Sequence, residues 1–189
     1  MLSSDLIRAL LLEHDDPRHL ERPADFDLDT SRDCFARLVS AVRERFGVSC
    51  AGRLAQDASF YGFIDVPADA TGGLGLPLRV LMSNFGRYFA TAFAVTGEGT
   101  SGGEEGLTGE FVTWFDSVCT AAGGTFVPAE VLREPYDGPS FLEAHRDEAL
   151  IAALVAAGEL TADEDDDEDE DEDEEVGTAY WSDRYFAYM

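Results

Sequence analysis

Hydrophobic residues are densest near the middle of the chain, in residues 76–95, where two apolar runs flank a turn. The runs at 78–82 and 88–95 are rich in β-branched, aromatic and aliphatic side chains, and Ser83-Asn84-Phe85-Gly86 separates them. Asn and Gly tolerate positive φ, so this pattern predicts a β-hairpin. Both faces of each predicted strand are apolar, which is typical of strands in the middle of a sheet that is covered on both sides.

Helical periodicity, with apolar residues at i, i+3 and i+4, predicts helices on either side of this hairpin. Their ranges are 4–13, a segment from a cap at Thr30 or Ser31 to Phe46, 108–122, and 141–157 after an S-x-x-E capping box. The pattern at residues 59–66 predicts a strand, and the pattern at 49–54 gives a weaker strand signal. Residues 125–127 are predicted to form a short edge strand. Pro128 is placed in the first turn of a brief helix ending at Leu132.

Together these elements predict an α+β fold with a central antiparallel sheet, built on the 76–95 hairpin and covered by helices. A chain of 189 residues is long enough for one core. We therefore expect a single α+β domain over residues 1–160.

The end of the chain differs sharply in composition from the rest. Residues 163–175 are all Asp or Glu, and like charges with nothing apolar to bury predict an acidic disordered loop over 161–178. Residues 179–189 then contain five aromatic side chains. We expect this segment to dock back on the domain, with a buried side formed by Trp181, Tyr185, Phe186, Tyr188 and Met189. The alternative is an exposed, partner-binding tip.

Half of the formal net charge of −26 comes from the acidic run at 163–175. The rest of the chain therefore has an excess of acidic residues as well. Binding to a nucleic-acid backbone depends on Lys and Arg, and this balance argues against it. A basic protein partner is the better expectation.

The three cysteines are widely spaced and form no C-x-x-C pair, which indicates reduced thiols and neither a disulfide framework nor a zinc site. Arg8 interrupts the first apolar stretch, so we predict no signal peptide. The longest apolar run, 149–157, is about half the ~20 residues that a membrane span requires. We expect a soluble cytoplasmic protein with no membrane partner.

Two motifs suggest ligands but lack the required context. Residues 97–102 match G-x-G-x-x-G, yet the following helix is predicted to begin several residues later, and Glu98, Glu104 and Glu105 would repel a phosphate. Residues 165–169 match the start of a calcium loop, but Glu170 stands where Gly is needed. We predict no cofactor and no specific metal site.

No catalytic signature is present. His14, His19 and His145 lie far apart, with the first two in a polar loop where exposure is usual, and no nucleophile, base and orienting group can be assembled around them. The sequence therefore favours a protein that is not an enzyme, although an enzyme of unrecognised type stays an alternative.

Three fragments resemble small bacterial cytoplasmic proteins, some of which act as immunity proteins beside polymorphic or contact-dependent toxins. The fragments are SNFGRYFATAF in the hairpin, VPAEVLREPYDG, and W-x-x-R-Y-F-x-Y from Trp181 to Tyr188. The resemblance implies a non-catalytic protein that neutralises a cognate toxin by direct binding, and the toxin domain would be basic. The acidic side chains that we expect to contact it are Glu98, Glu104, Glu105, Asp163, Asp165, Asp167 and Asp169. The alternative is an acidic-tailed chaperone or nucleic-acid mimic, in which the acidic run is the active part.

Overall fold

The computed structural model describes residues 2–47, 49–71, 77–93, 107–139 and 179–187. Within them the helices are α1 (Ser4–His14), α2 (Leu28–Phe46), α3 (Gly109–Ala122), α4 (Ala129–Leu132) and α5 (Trp181–Phe186). The strands are β1 (Ala51–Leu54), β2 (Phe60–Val66), β3 (Leu78–Ser83), β4 (Tyr88–Phe93) and β5 (Thr125–Phe126). The predicted α+β class is confirmed. The helix predicted over 141–157, with His145, lies outside the described residues, as do the acidic run and the glycine-rich loop.

The helix starts follow from capping side chains. Thr108, which the sequence placed inside the helix, is the residue that caps α3, and its hydroxyl accepts the N–H of Phe111 at 3.2 Å. The predicted cap of α2 at Thr30 or Ser31 is wrong, because Asp27 takes that role. Its carboxylate accepts the N–H of Thr30 at 3.0 Å and the hydroxyl of Thr30 at 2.6 Å, so the helix begins at Leu28. Pro128 is the residue before α4, not part of its first turn.

The five strands form one sheet in the order β1-β2-β3-β4-β5. The first four are antiparallel neighbours, as expected for a sheet built on the hairpin, whereas β5 pairs with β4 in parallel. The sheet is therefore mixed. Parallel pairing arises because the chain returns to the sheet through α3, a helical crossover.

The β3–β4 turn comprises residues 84–87 and joins strands in which Met82 faces Phe89. Gly86 has φ of 66° and Arg87 has φ of 53°, so both are left-handed. The Nε of Arg87 donates to the carbonyl oxygen of Gly123 at 3.2 Å, which connects this turn to the end of α3.

The two faces of the sheet carry separate clusters of buried apolar side chains. On β4, Phe89 packs into the core under α2 and α3, whereas Tyr88 and Ala90 pack into the core under α1, α4 and α5. This alternation explains why the hairpin strands are apolar on both faces. Trp181 and Tyr185 of α5 are fully buried in the second core.

Candidate functional site

The acidic residues that the sequence singled out for partner binding cannot be placed. Glu98, Glu104 and Glu105, and likewise Asp163, Asp165, Asp167 and Asp169, lie outside the described residues. The concave surfaces of the described part of the chain include one that is acidic and one that is apolar.

The acidic cleft lies where the end of α1, the loop to α2, the start of α2 and the β3–β4 turn meet, and its volume is about 450 Å³. Five carboxylates line it against a single guanidinium, that of Arg87. These carboxylates belong to Glu13, Asp15, Asp16, Asp25 and Asp27. The cleft therefore attracts cations.

The negative charge of Asp15 is balanced within the protein by an ion pair with Arg184. Its Oδ1 accepts the Nε–H of Arg184 at 2.7 Å, and its Oδ2 accepts the hydroxyl of Tyr136. The Asp15 and Arg184 side chains are 2% and 9% exposed. Asp15 thus ties α5 to the wall of the cleft and contributes little to its net charge.

Asp16 and Asp27 hold the loop in shape. Asp16 Oδ2 accepts the N–H of Ala24 and a ring N–H of His19, both at 2.9 Å. Burial raises the pKa of Asp16, but these hydrogen bonds outweigh it and leave the pKa below its ordinary value. The hydroxyl of Thr30, followed by its backbone N–H, lowers the pKa of Asp27. Both groups are ionised at neutral pH.

Glu13 and Asp25 are the two carboxylates of the cleft that are available to a ligand. Both are exposed, and neither side chain forms an ion pair or hydrogen bond with another residue in the described ranges. Their charges are therefore free to bind a basic group from another molecule.

Asn84 is another of the residues that line the cleft, and it is only 6% exposed. Its Nδ2 donates to the carbonyl oxygens of Glu21 at 2.8 Å and Ala58 at 3.1 Å, which fixes the orientation of the amide. Its Oδ1 has no hydrogen-bond partner among the described residues. A buried acceptor without a donor is unusual in a folded protein.

His14 also lines the cleft, at the end of α1 and not in the loop where the sequence placed it. Its Nδ1 lies 2.9 Å from the hydroxyl of Tyr88 and 2.9 Å from the carbonyl oxygen of Leu10. Burial raises the pKa of Tyr88 well above its ordinary value, so this partner is a neutral phenol. These contacts give His14 a structural role.

The second concave surface, the apolar groove, lies on the sheet face beside α4 and α5 and has a volume of about 590 Å³. Phe60, Leu81 and Phe186 contribute apolar walls. Arg79 lines it too, but its Nε donates to Asp65 at 2.8 Å and its guanidinium lies 4.3 Å from the centroid of the Phe63 ring. Because the charge of Arg79 is already paired with Asp65, the lining of the groove indicates the chemistry of a ligand less clearly than the lining of the cleft does.

The described residues offer little for catalysis. Burial raises the pKa of the Cys34, Cys50 and Cys119 thiols, which are unpaired and enclosed in the protein, so none is an activated nucleophile. Nowhere in the described ranges do three or more His, Cys, Asp or Glu side chains form a group that could hold a metal ion. The excess of carboxylates in the cleft favours a positively charged ligand over a negatively charged one.

Sequence reasoning missed the cleft because its two sides are about 60 residues apart in the chain. The signal that could have indicated one side was the density of acids between α1 and α2, where Asp15, Asp16, Asp25 and Asp27 fall within one loop. The role of Asn84 carried no signal, since Asn in a turn has an ordinary local explanation.

Among the described residues, no helix combines the length and apolar character that crossing a membrane requires. In comparisons with known proteins, no family model matches this chain, and neither a curated protein nor a solved structure matches it.

Proposed function

We propose that this chain is a non-catalytic, cytoplasmic immunity protein that neutralises a cognate bacterial toxin domain by binding it directly. The observation that carries the proposal is the acidic cleft, in which Glu13 and Asp25 have no partner among the described residues. The resemblance of the three sequence fragments to immunity proteins supports the same function.

The charge of the chain suits such a partner. A formal charge of −26 produces a long-range field that speeds the approach of a basic protein and discriminates against acidic ones. Toxins that cleave nucleic acids need basic surfaces to hold phosphates, so an acidic inhibitor can compete with the substrate for such a surface.

The test is neutralisation of the toxin domain encoded beside the gene for this chain. We expect the purified full-length protein to form a stoichiometric complex with that domain at physiological salt and to abolish its activity. The rate of association should fall as salt is raised, because salt screens charge attraction. Absence of a complex at physiological salt would overturn the proposal.

A deletion of residues 163–175 identifies the acidic surface that is used. We expect the deleted protein to neutralise the toxin, since the cleft is intact. If neutralisation were lost while the fold was retained, the run itself would be the active part, as in an acidic-tailed chaperone or nucleic-acid mimic.

A further inference from the structure

We infer that residues 179–187, which contain α5, are an exchangeable peptide ligand, and that the surface holding them is a binding site that the same segment of a second copy of the chain can fill. The inference is independent of the proposed function, because no toxin takes part in it. The segment occupies its site in the structure, so the contacts that it makes define the chemistry of the site.

The backbone of the segment is held near both of its ends by distant parts of the chain. At its start, the N–H of Tyr136 donates to the carbonyl oxygen of Ala179 at 2.8 Å. At its end, the N–H of Ala187 donates to Oγ of Ser59 at 3.0 Å, and the carbonyl oxygen of Ala187 accepts the N–H of Ser59 at 3.0 Å. Peptide-recognition sites hold their ligands through main-chain hydrogen bonds of this kind.

Two aromatic side chains of the segment, about one helical turn apart, anchor it in the site. Trp181 and Tyr185 are both fully buried. The centroid of the Trp181 ring lies 4.9 Å from that of Tyr136. The centroid of the Tyr185 ring lies 5.7 Å from that of Phe85 and 5.6 Å from that of Tyr88. Buried aromatic anchors such as these contribute most of the binding energy at protein interfaces.

Arg184 gives the site its specificity. Its Nε donates to Oδ1 of Asp15 at 2.7 Å, and the two side chains are 9% and 2% exposed. Its guanidinium also donates to the carbonyl oxygens of Asp16 at 2.7 Å and His19 at 3.1 Å, and it lies 4.1 Å from the centroid of the Phe85 ring. A peptide without this arginine would leave the buried carboxylate unpaired. The site therefore selects a peptide of the form W-x-x-R-Y.

The connection between the segment and the rest of the chain is long enough to reach either copy. It comprises the 39 residues from 140 to 178. At about 3.4 Å per residue, a chain of that length spans at most roughly 130 Å, whereas residues 136 and 179 are in direct contact within one copy. The segment makes the same contacts in its own copy and in a second one, so exchange loses no contact and concentration decides the outcome.

The intact chain favours its own segment in dilute solution. A tether gives the segment an effective concentration of the order of millimolar, which a second copy matches only at a similar protein concentration. The formal charge of −26 on each copy also opposes a dimer, and salt weakens this repulsion. Exchange is therefore strongest where docking within one copy is impaired.

The test mixes two full-length variants, each of which impairs docking within its own copy. D15A removes the carboxylate that pairs with Arg184, and R184A removes the guanidinium that pairs with Asp15. In an exchanged dimer of the two variants, one site regains both charges and the other lacks both, so no buried charge is unpaired. We expect the equimolar mixture to form a dimer that neither variant forms alone and to melt at a higher temperature than either. Size-exclusion chromatography with light scattering measures the dimer.

The matched control is the double variant D15A/R184A, which has no unpaired charge for exchange to relieve. It should form no more dimer than the unmodified protein, and the dimer in the mixture should persist or increase at high salt. A mixture of folded variants that stays monomeric would overturn the inference. Equal amounts of dimer in the double variant and in the mixture would also overturn it.

A second measurement decides the question if either single variant does not fold. A fluorescently labelled peptide with the sequence of residues 179–189, AYWSDRYFAYM, is titrated with the unmodified full-length protein, and its anisotropy is followed. We expect it to bind at least tenfold more tightly than a scrambled peptide of the same composition and than the peptide in which Arg184 is replaced by Ala. Equal binding of the three peptides would show that the site does not accept the segment from a separate chain, and the inference would be wrong.

Discussion

Arg184 joins the end of the described chain to the loop that shapes the acidic cleft. Its guanidinium is occupied by the Asp15 carboxylate and by the carbonyl oxygens of Asp16, His19 and Leu20, and it lies over the Phe85 ring. A charge that is 9% exposed depends on its partner, because water cannot replace the lost carboxylate. The wall of the cleft therefore depends on α5.

The first prediction concerns this pair. Replacing Asp15 by Ala should reduce the free energy of unfolding by about 3–5 kcal/mol, since it leaves a buried guanidinium uncompensated. The control is D137A, which breaks the Arg8–Asp137 pair, whose side chains are 41% and 47% exposed. That exposed pair should contribute far less to stability, because water already solvates both charges. Urea unfolding measures both, and equal losses would contradict the prediction.

The second prediction concerns the pH dependence of the α2 cap. The Thr30 hydroxyl and N–H lower the pKa of Asp27 in the folded protein, so the folded state favours the ionised form. The stability from this cap should be complete above the unfolded pKa of about 3.9 and disappear as pH falls through the lower folded pKa. An NMR titration of the Asp27 carboxyl carbon should give a midpoint below about 3.9.

The variant D27N provides the control for that titration. Compared with the unmodified protein, it should lower the melting temperature at pH 6, and the difference should shrink as the pH approaches 3. A carboxyl midpoint at or above the ordinary value, or a difference in melting temperature that is independent of pH, would show that the cap does not favour the ionised carboxylate.

Single residues also mark the limit of sequence reasoning. The sequence offered several capping residues before α2, and local preference alone does not choose among Asp27, Thr30 and Ser31. The structure uses Asp27 as the cap, while Ser31 is buried inside the helix. The free carboxylates and the unpaired Asn84 oxygen depend on contacts between distant segments, which no local pattern encodes.

Among the described strands, β5 is the shortest, and the backbone approaches it closely. The N–H of Thr125 donates to the carbonyl oxygen of Arg87 at 3.2 Å, and that of Val127 donates to Phe89 at 2.8 Å. Gly124 precedes the strand, and a Cβ there would lie 2.2 Å from the Arg87 carbonyl oxygen and 2.4 Å from Cε2 of Phe89. Only glycine allows this approach.

The third prediction follows from that contact. Replacing Gly124 by Ala should reduce the free energy of unfolding by about 1–3 kcal/mol, the range for forced overpacking, and should speed hydrogen exchange at the Val127 amide. The matched control is G109A at the start of α3, where an added Cβ meets no atom within 4 Å. It should be neutral or stabilising by up to about 1 kcal/mol. Similar losses in both variants would contradict this account of β5.

The fourth prediction concerns α5, a helix of six residues that is held by its buried aromatic side chains. Trp181 is fully buried, and its ring centroid lies 4.9 Å from that of Tyr136. Replacing Trp181 by Ala should reduce the free energy of unfolding by about 3–5 kcal/mol. The control, W181F, should lose much less, because the Trp181 Nε1 has no hydrogen-bond partner among the described residues. Equal losses would show that the indole N–H matters more than packing.

The sequence predicted most elements because periodicity is strong where a segment faces a core. The strands at 59–66 and in the hairpin, and the helices at 4–13 and 108–122, all lie close to their predicted positions. Burial was expected for five side chains of the C-terminal segment. Trp181 and Tyr185 are buried and Phe186 is half-buried, whereas Tyr188 and Met189 lie outside the described residues. The parallel pairing of β5 was not predicted, because two residues carry no periodicity and pairing direction depends on the route of the whole chain.

At the scale of the whole molecule, the chain combines a sheet with two apolar faces and a strong excess of acid. The second core joins α1, near the start of the chain, to α5, near its end. The hydroxyl of Tyr185 donates to the carbonyl oxygen of Leu11, which links the same two helices. The acidic cleft lies beside this junction, so its shape depends on the junction being closed.

The last prediction separates the two parts of the C-terminal region. A chain that ends after residue 160 loses α5, and with it Trp181, Tyr185 and the Arg184 that compensates Asp15. It should lose the cooperative unfolding transition or show a much lower melting temperature, because the second core is opened and a buried carboxylate is left unpaired. Circular dichroism during heating measures this directly.

The matched variant deletes only residues 163–175 and keeps α5. Changing the length of a connection alters its closure free energy by only about 0.6 kcal/mol per doubling, and the deletion removes thirteen mutually repelling charges. Its melting temperature should therefore equal or slightly exceed that of the full-length protein at low salt, and the difference should narrow as salt screens the charges. If the deletion destabilised the protein as much as the truncation does, the acidic run would be part of what holds α5 in place, and its charges could not serve solely to attract a partner.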